Sequence, residues 1–150
     1  MIVRKLDTGS YCAILNRKLP KDIRMLAYAN LSSLPYFDAR FSCVYREYTY
    51  FFHADNLDID LVRKTAIKFI GEHDFRNFCK ADGPNPDFTR QIFSFDICPA
   101  SQDSPVYRSI IKGSSFLYHQ VRIMMSILFL VGSQQEQPEL VDLLLANKCS

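Results

Sequence analysis

The sequence predicts an α+β fold in which helices pack on one face of a mainly antiparallel sheet. Two observations lead to this prediction. Residues 37–54 and 88–98 alternate between apolar and polar side chains, which is typical of strands, whereas residues 60–70 and 116–131 place apolar side chains at helical spacing. The chain has 150 residues, of which 48% are hydrophobic, and this is enough to bury the core of a single domain over residues 1–150.

Charge and cysteine usage narrow the kinds of partner and compartment. The formal net charge is +2, but residues 1–25 hold six Lys and Arg against two Asp, an asymmetry that permits a polyanionic partner. The cysteines show no CxxC or CxxH spacing, which argues against a zinc site. Their odd number, with no signal peptide, favours a reducing compartment, the nucleus or the cytoplasm or both. We predict buried thiols at Cys12, Cys43, Cys79, Cys98 and Cys149.

The first predicted elements are short. A helix of one or two turns is predicted over residues 11–15, ended by Asn16 and Pro20. A strand is predicted over residues 22–31, and a loop that contains Pro35 follows it.

Residues 37–54 are predicted to form one long strand or a bent pair of strands. The odd positions are apolar and are expected to face the core: Phe37, Ala39, Phe41, Cys43 and Tyr45. The even positions share the other face and place two arginines beside two tyrosines: Asp38, Arg40, Ser42, Arg46, Tyr48 and Tyr50. Arginines among exposed rings are typical of proteins that hold phosphates and stack an unpaired base. A solvated sheet face whose side chains pack on each other explains the spacing equally well.

An amphipathic helix is predicted over residues 60–70, with a C-terminal stop at Gly71. Its buried stripe consists of Val62, Ala66, Phe69 and Ile70. In the segment that follows, Phe75 and Phe78 are expected to anchor the core, with Arg76 and Lys80 exposed. The adjacent His73 and Asp74 suggest acid–base chemistry, although one such pair is a weak signal.

The C-terminal half is predicted to contain two strands and two helices. The strand over residues 88–98 carries Phe93, Phe95 and Ile97 on one face, and a second strand over residues 106–113 leads into a long helix. A last helix begins near Pro138 and is expected to turn Leu140, Leu143 and Leu144 inward.

Residues 116–131 are apolar on almost every face, which is typical of a buried helix. The exceptions follow one stripe: Ser115, His119, Arg122 and Ser126. A buried guanidinium needs a carboxylate or phosphate, so we expect such a partner for Arg122. Alternatively, its stem runs along the core to solvent or a surface Asp. A membrane span is not favoured, because the apolar run after Arg122 is about half of the ~20 residues that a bilayer requires.

Four segments resemble successive blocks of the TruA-type tRNA pseudouridine synthases. They are LNRKLPKDIR, FDARFSCVYREYTYFF, GEHDFRNFCK and SSFLYHQVRIMMSILFLVG. The resemblance extends over residues 11–147, in order and without large gaps. Within the family, DFRNFCK and YHQVRIMMSILFLVG look like the eukaryotic branch that modifies positions 38/39, on the 3′ side of the tRNA anticodon stem-loop.

The resemblance implies an isomerase that detaches uracil from its ribose, rotates it and rejoins it through carbon, with no metal or cofactor. It implies tRNA as the partner and no membrane, and it allows a homodimer. In the family, an aspartate is the nucleophile, a strand tyrosine stacks on the uracil, and an arginine of the long helix pairs with the aspartate. The tyrosine is Tyr48 here and the arginine is Arg122. The substrate-binding residues implied are Tyr48, Arg40, Arg46, Arg76, Lys80 and His119.

The family's aspartate stands in a Gly-Arg-Thr-Asp block, expected upstream of LNRKLP. Asp7 has an Asp-x-Gly spacing but lacks the rest of the block. We therefore expect a C-terminal catalytic portion, without the aspartate-bearing part and without a closing strand after Ser150. We expect it to be inactive alone, because covalent catalysis needs the nucleophile. We also expect it to be poorly stable, because an unpaired buried Arg122 costs about 3–5 kcal/mol. A catalytically inactive RNA-binding remnant is the alternative.

Overall fold

The computed structural model describes residues 8–31, 36–39, 41–80, 87–102 and 104–146. The predicted binding residue Arg40, the predicted buried thiol of Cys149 and the Asp-x-Gly aspartate Asp7 lie outside these residues. The chain divides into two compact units, residues 1–43 and 44–150. The single domain expected from the sequence stays a prediction.

The first unit is built on helix α1 (Thr8–Lys18), which is longer than the turn predicted around residues 11–15. The side-chain amide of Asn16 binds both backbone groups of Met25, with Nδ2 to Met25 O at 2.9 Å and Met25 N to Oδ1 at 2.7 Å. The strand predicted over residues 22–31 is therefore wrong, because the backbone at Met25 pairs with a side chain instead of a neighbouring strand.

The long strand predicted over residues 37–54 is also wrong in its first half. Asp38 folds the chain into a turn: its Oδ1 accepts from Phe41 N at 2.9 Å, and its carbonyl accepts from Ser42 N at 2.8 Å. These local hydrogen bonds replace strand pairing. The apolar side chains expected to face a core are exposed instead, at Phe37, Ala39, Phe41, Cys43 and Tyr45.

The second unit contains a four-stranded antiparallel sheet with the strand order β1-β4-β3-β2. The strands are β1 (Arg46–His53), β2 (Gly71–Asp74), β3 (Thr89–Pro99) and β4 (Val106–Gly113). The sequence did not predict β2, which is short and carries no apolar alternation. The antiparallel sheet confirms the predicted α+β fold class.

A β-bulge changes which residues of β3 face the core. The register between β3 and β4 shifts between Ile92 and Ser94, so Ile92 stands opposite Gly113 and Phe93 becomes the extra residue. Phe93 is 43% exposed, whereas Ile92 is buried. The predicted inward face is confirmed for Phe95 and Ile97, and it is wrong for Phe93.

Two helices of this unit pack against the sheet, α2 (Ile59–Ala66) and α3 (Gln120–Gly132), and a third, α4 (Glu139–Ala146), packs against the 3₁₀ turns at residues 67–69 and 76–78. Asp58 caps α2 by accepting from Leu61 N at 3.0 Å. A 3₁₀ turn continues α2 over Ile67–Phe69, and another covers Arg76–Phe78. The core between sheet and helices includes Phe52, Phe95, Ile97, Ile111, Val62, Phe69, Phe75, Phe78, Met124, Leu128 and Val141. Among the residues that the structure describes, no helix is long and apolar enough to span a bilayer.

Two further core predictions are wrong, and the predicted burial of the thiols is wrong for each cysteine that the structure describes. Ile70 is exposed because the 3₁₀ turn ends the helical period at Phe69. Leu143 is exposed because Val141 takes the inward position on α4, with Leu140 and Leu144 packed beside it. Of the described cysteines, Cys43 is exposed, and Cys12, Cys79 and Cys98 are half-buried.

Helices α2 and α3 approach closely at Gly132. Its carbonyl accepts from Asp58 N at 2.8 Å. A Cβ at this position would clash with Val62 Cγ2 and would lie 3.3 Å from Leu57 Cδ2. Because Val62 is fully buried and β-branched, it has little room to move away.

We therefore expect Gly132→Ala to lower the free energy of unfolding by about 1–3 kcal/mol through overpacking, as measured by urea denaturation. Ser126→Ala, an exposed position on the same helix, is the control and should change it by less than about 0.5 kcal/mol. In a Val62→Ala background the penalty of Gly132→Ala should shrink. An equal penalty in both backgrounds would contradict this account.

Candidate active site

Helix α3 begins later than its apolar sequence suggests. The Gln120 side chain accepts from Leu117 N at 2.8 Å, and Gln120 N donates to Leu117 O at 3.1 Å. His119 precedes the helix with a left-handed φ of 64°. Residues 117–120 therefore form a turn, and the predicted four-residue polar stripe is wrong, because both Ser115 and His119 precede the helix.

This late start leaves a cleft of about 600 Å³ beside β1. One wall comes from β1, and the other comes from the turn and the first residues of α3. The cleft is lined by Tyr48, Thr49, Tyr50, Phe116, Leu117, Tyr118, His119, Gln120, Val121 and Arg122. The described residues that line it include no carboxylate, and its one permanent charge is the guanidinium of Arg122.

Tyr48 reaches the cleft because α3 covers only part of β1. Along the helix-facing side of this strand, Phe52 is buried, Tyr50 packs on Phe129 at 6.3 Å between ring centroids, and Tyr48 is 47% exposed. The prediction that odd-numbered residues face the core and even-numbered residues face away from it is therefore wrong in β1. Its even residues face the helices, and Phe51 on the opposite face is exposed.

Phe116 holds the ring of Tyr48. The two rings meet edge to face, with centroids 5.0 Å apart and an interplanar angle of 86°. Gly113 makes room for this contact, since a Cβ there would lie 3.1 Å from Phe116 Cζ and 2.9 Å from Gln91 O. Tyr48 is thus an accessible ring in a fixed orientation, which is what stacking on a flat ligand requires.

The structure brings Arg122 to the same cleft as Tyr48, but the expectation that its guanidinium is buried is wrong. Arg122, Ser126 and Leu130 recur at four-residue spacing along the exposed side of α3. Within the part of the chain that the structure describes, no carboxylate lies within 4.0 Å of the guanidinium. The cost of an unpaired buried cation therefore does not arise.

The other predicted binding residues divide into two groups. His119 lines the cleft, and Lys80 lies beside it, because Lys80 N donates to Tyr118 O at 3.0 Å. Arg46 is half-buried and stands two residues before Tyr48 on the same strand face, so it flanks the cleft.

Arg76 is not brought to the cleft. Its guanidinium donates to the Asp74 carboxylate from both Nη2, to Oδ2 at 2.8 Å, and Nε, to Oδ2 at 3.0 Å and Oδ1 at 3.2 Å. It also lies over the ring of Phe88 at 5.3 Å. The prediction of an exposed Arg76 is wrong, because these contacts keep the side chain half-buried.

The adjacent His73 and Asp74 make separate contacts. His73 Nε2 lies 3.1 Å from Ile70 O and must donate to it, whereas Asp74 accepts from Arg76. Neither residue lines the cleft. The described residues also include no cluster of three His, Cys, Asp or Glu placed to hold a metal ion.

Sequence reasoning missed three cleft residues: Phe116, Tyr118 and Gln120. Gln120 is only 1% exposed, and a polar side chain at the start of an apolar run was the available signal for a turn at this point. Phe116 and Tyr118 gave no separate signal, because aromatic residues before an apolar helix are usually core residues.

The thiol of Cys79, the residue before Lys80, has a raised pKa. Burial raises the pKa of the Cys79 thiol, with a smaller raising effect from Asp74, and the positive charge of Arg90 opposes this shift. Cys79 follows the 3₁₀ turn that contains Arg76 and precedes Lys80. Since the thiolate is the reactive form, less of it is present at a given pH than in an ordinary cysteine.

We expect the alkylation rate of Cys79, followed by mass spectrometry of its peptide, to reach half of its maximum above the ordinary thiol pKa of about 8.5. Comparing rates across pH separates acidity from accessibility. Arg90→Gln should move the midpoint further up, because it removes the charge that lowers the pKa. A midpoint at or below that of an unfolded peptide would contradict the prediction.

A family model described as tRNA pseudouridine synthase matches residues 65–149, more than half of the chain. The tRNA pseudouridine(38/39) synthase of Saccharomyces cerevisiae is 51% identical over 133 residues, which are 87% of this chain and 29% of that protein. The Homo sapiens protein of the same name is 46% identical over 147 residues, 90% of this chain and 30% of its own length.

The similarity extends to bacterial proteins. A tRNA pseudouridine synthase A of Staphylococcus epidermidis is 29% identical over 159 residues, which cover 95% of this chain and 58% of that protein. The chain spans about 30% of the length of the two eukaryotic relatives. The matched region contains the turn and α3, which form one wall of the cleft, but not β1, which forms the other. The chain therefore belongs to the tRNA pseudouridine synthase family.

Proposed function

We propose that this chain supplies the base-stacking wall and the arginine of a tRNA pseudouridine synthase site that acts at positions 38/39 of the anticodon stem-loop. The observation that supports this proposal most strongly is the placement of Tyr48 and Arg122 in one cleft. The names of the eukaryotic relatives support the tRNA substrate and its position.

The geometry of the cleft suits a nucleobase that has been flipped out of its base stack. An enzyme that acts on a nucleobase must extrude it and hold it by its π-face and its edges. Tyr48 offers an accessible ring that Phe116 fixes at 5.0 Å. In the proposed reaction the bond from uracil N1 to ribose C1′ breaks, a bond from uracil C5 to C1′ forms, C5 loses its proton and N1 gains one, so the product is an isomer of the substrate. A ring that grips only the π-face permits the rotation between these steps.

Arg122 is placed to attract negative charge at the mouth of the cleft. Its guanidinium presents five N–H donors and remains charged at every physiological pH. No carboxylate is present among the described residues that line the cleft, so the aspartate nucleophile of the family must come from outside them. Arg122 would pair with this aspartate or with a phosphate of the bound tRNA.

The absence of a lining carboxylate among these residues also supports a second candidate function. A cleft with an exposed ring and a cation can bind RNA without isomerising it, because stacking and phosphate contacts need no nucleophile. Binding and turnover therefore have to be measured separately.

We expect a protein that contains this chain together with the aspartate-bearing part to release tritium from uridine labelled at C5 in tRNA, because C5 loses its hydrogen in the reaction. Tyr48→Leu should lower kcat/KM by about 5- to 150-fold, which corresponds to the loss of one base–aromatic stack. Tyr48→Phe keeps the ring and should stay close to the unsubstituted protein. Tight tRNA binding without tritium release would favour the RNA-binding alternative, and a Tyr48→Leu variant with full activity would contradict the role of the ring.

The cations around the cleft should also determine how tRNA binding depends on salt. Arg46→Gln and Lys80→Gln should each reduce the slope of log K against log salt by about one unit if each residue contacts one phosphate. Arg76→Gln is the matched control, because Asp74 already binds its guanidinium at 2.8 Å. Filter binding at several salt concentrations measures these slopes. An equal effect of all three substitutions would contradict the assignment of phosphate contacts to the cleft.

A further inference from the structure

We propose that the paired rings of Tyr118 and His119 form a second stacking platform, which binds an unpaired base next to the base that Tyr48 receives. This inference rests on the proposed function, because it assumes that RNA enters the cleft. It assigns a binding role to Tyr118 and names an adjacent nucleotide of single-stranded RNA as the ligand.

The two rings lie close together at a tilt, with Tyr118 exposed and His119 half-buried. Their centroids are 4.1 Å apart, and the angle between their planes is 32°. Tyr118 is 56% exposed, although both residues line the cleft. A large aromatic side chain usually buries its ring in a core, so a ring that instead stacks on a neighbour at the surface keeps π-surface available for a ligand.

Backbone hydrogen bonds fix this stack on both sides. Tyr118 O accepts from Lys80 N at 3.0 Å, and His119 O accepts from Ile123 N at 3.1 Å. His119 has a φ of 64°, a left-handed conformation that is uncommon outside glycine. Such a conformation persists only where the surrounding contacts determine it, and it is enriched at ligand-binding sites.

Gln120 acts as a positioning residue for the platform. Its Oε1 accepts from Leu117 N at 2.8 Å, which closes the turn that carries Tyr118 and His119. This contact also fixes the amide orientation, because a flipped amide would direct its NH₂ group at another N–H. Its Nε2 is buried and has no hydrogen-bond partner among the described residues.

The charges around the platform favour nucleic acid over other ligands. Lys80 is exposed and is hydrogen-bonded to Tyr118 through its backbone, and Arg122 lines the same cleft. Rings flanked by cations are the pattern with which proteins bind single-stranded RNA. The cleft volume of about 600 Å³ is in the range that holds a drug-sized ligand, and a single pyrimidine is much smaller.

The test uses the intact protein and anticodon stem-loop RNAs with 2-aminopurine placed on either side of the target uridine. Stacking on a protein ring quenches the fluorescence of this base. We expect quenching at one of the two positions with the unsubstituted protein and with Tyr118→Phe. Tyr118→Leu should abolish the quenching and weaken RNA binding by about 5- to 150-fold. Thermal unfolding of each variant establishes that it is folded.

Tyr48→Leu separates the two proposals. If this substitution weakens binding and Tyr118→Leu changes neither binding nor fluorescence, the second platform is overturned and the proposed function stands. If Tyr118→Leu weakens binding while the quenching persists, Tyr118 does not stack on the neighbouring base and the inference is also overturned. If both tyrosine variants bind RNA normally and the quenching persists in both, the proposed function fails together with this inference. Loss of quenching in Tyr118→Leu alone supports the platform.

Discussion

The reciprocal hydrogen bonds between Leu117 and Gln120 determine where the candidate site can exist. The apolar sequence would allow a helix to begin at residue 116, and such a helix would extend over the open end of β1. By closing a turn instead, Gln120 begins the helix one turn later and leaves Tyr48 accessible.

The pairing register of β1 and β4 also determines how the ring of Tyr48 is held in the cleft. Tyr48 stands opposite the buried Ile111, and Gly113 stands opposite Arg46 at the end of the same ladder. Because Gly113 has no side chain, Phe116 can pack edge to face against Tyr48 at 5.0 Å. One position without a side chain thus allows the strand and the turn to orient a ring together. The site depends on the strand register as much as on its own residues.

Sequence patterns predicted most elements of residues 44–150 but not the orientation of the site. Apolar and polar residues do alternate around Phe37, but the backbone there forms hydrogen bonds within the turn at Asp38 instead of pairing with a strand. In β1 both faces carry aromatic residues, so alternation alone could not show that Tyr48 faces the helices. Phe93 was misplaced because a bulge shifts the register without leaving a sequence signal. Membership in the family, by contrast, was readable from the segments themselves.

The exposed position of Arg122 changes how the electrostatics of the site must work. A buried guanidinium would need its partner in order to fold, whereas an exposed one is solvated by water until a partner arrives. The cation can therefore be present before the carboxylate or the phosphate, without loss of stability. When a ligand fills the cleft and excludes water, the local dielectric constant falls and the attraction between the guanidinium and an anion strengthens. Substrate entry, rather than folding, would then establish the ion pair on which the proposed chemistry depends.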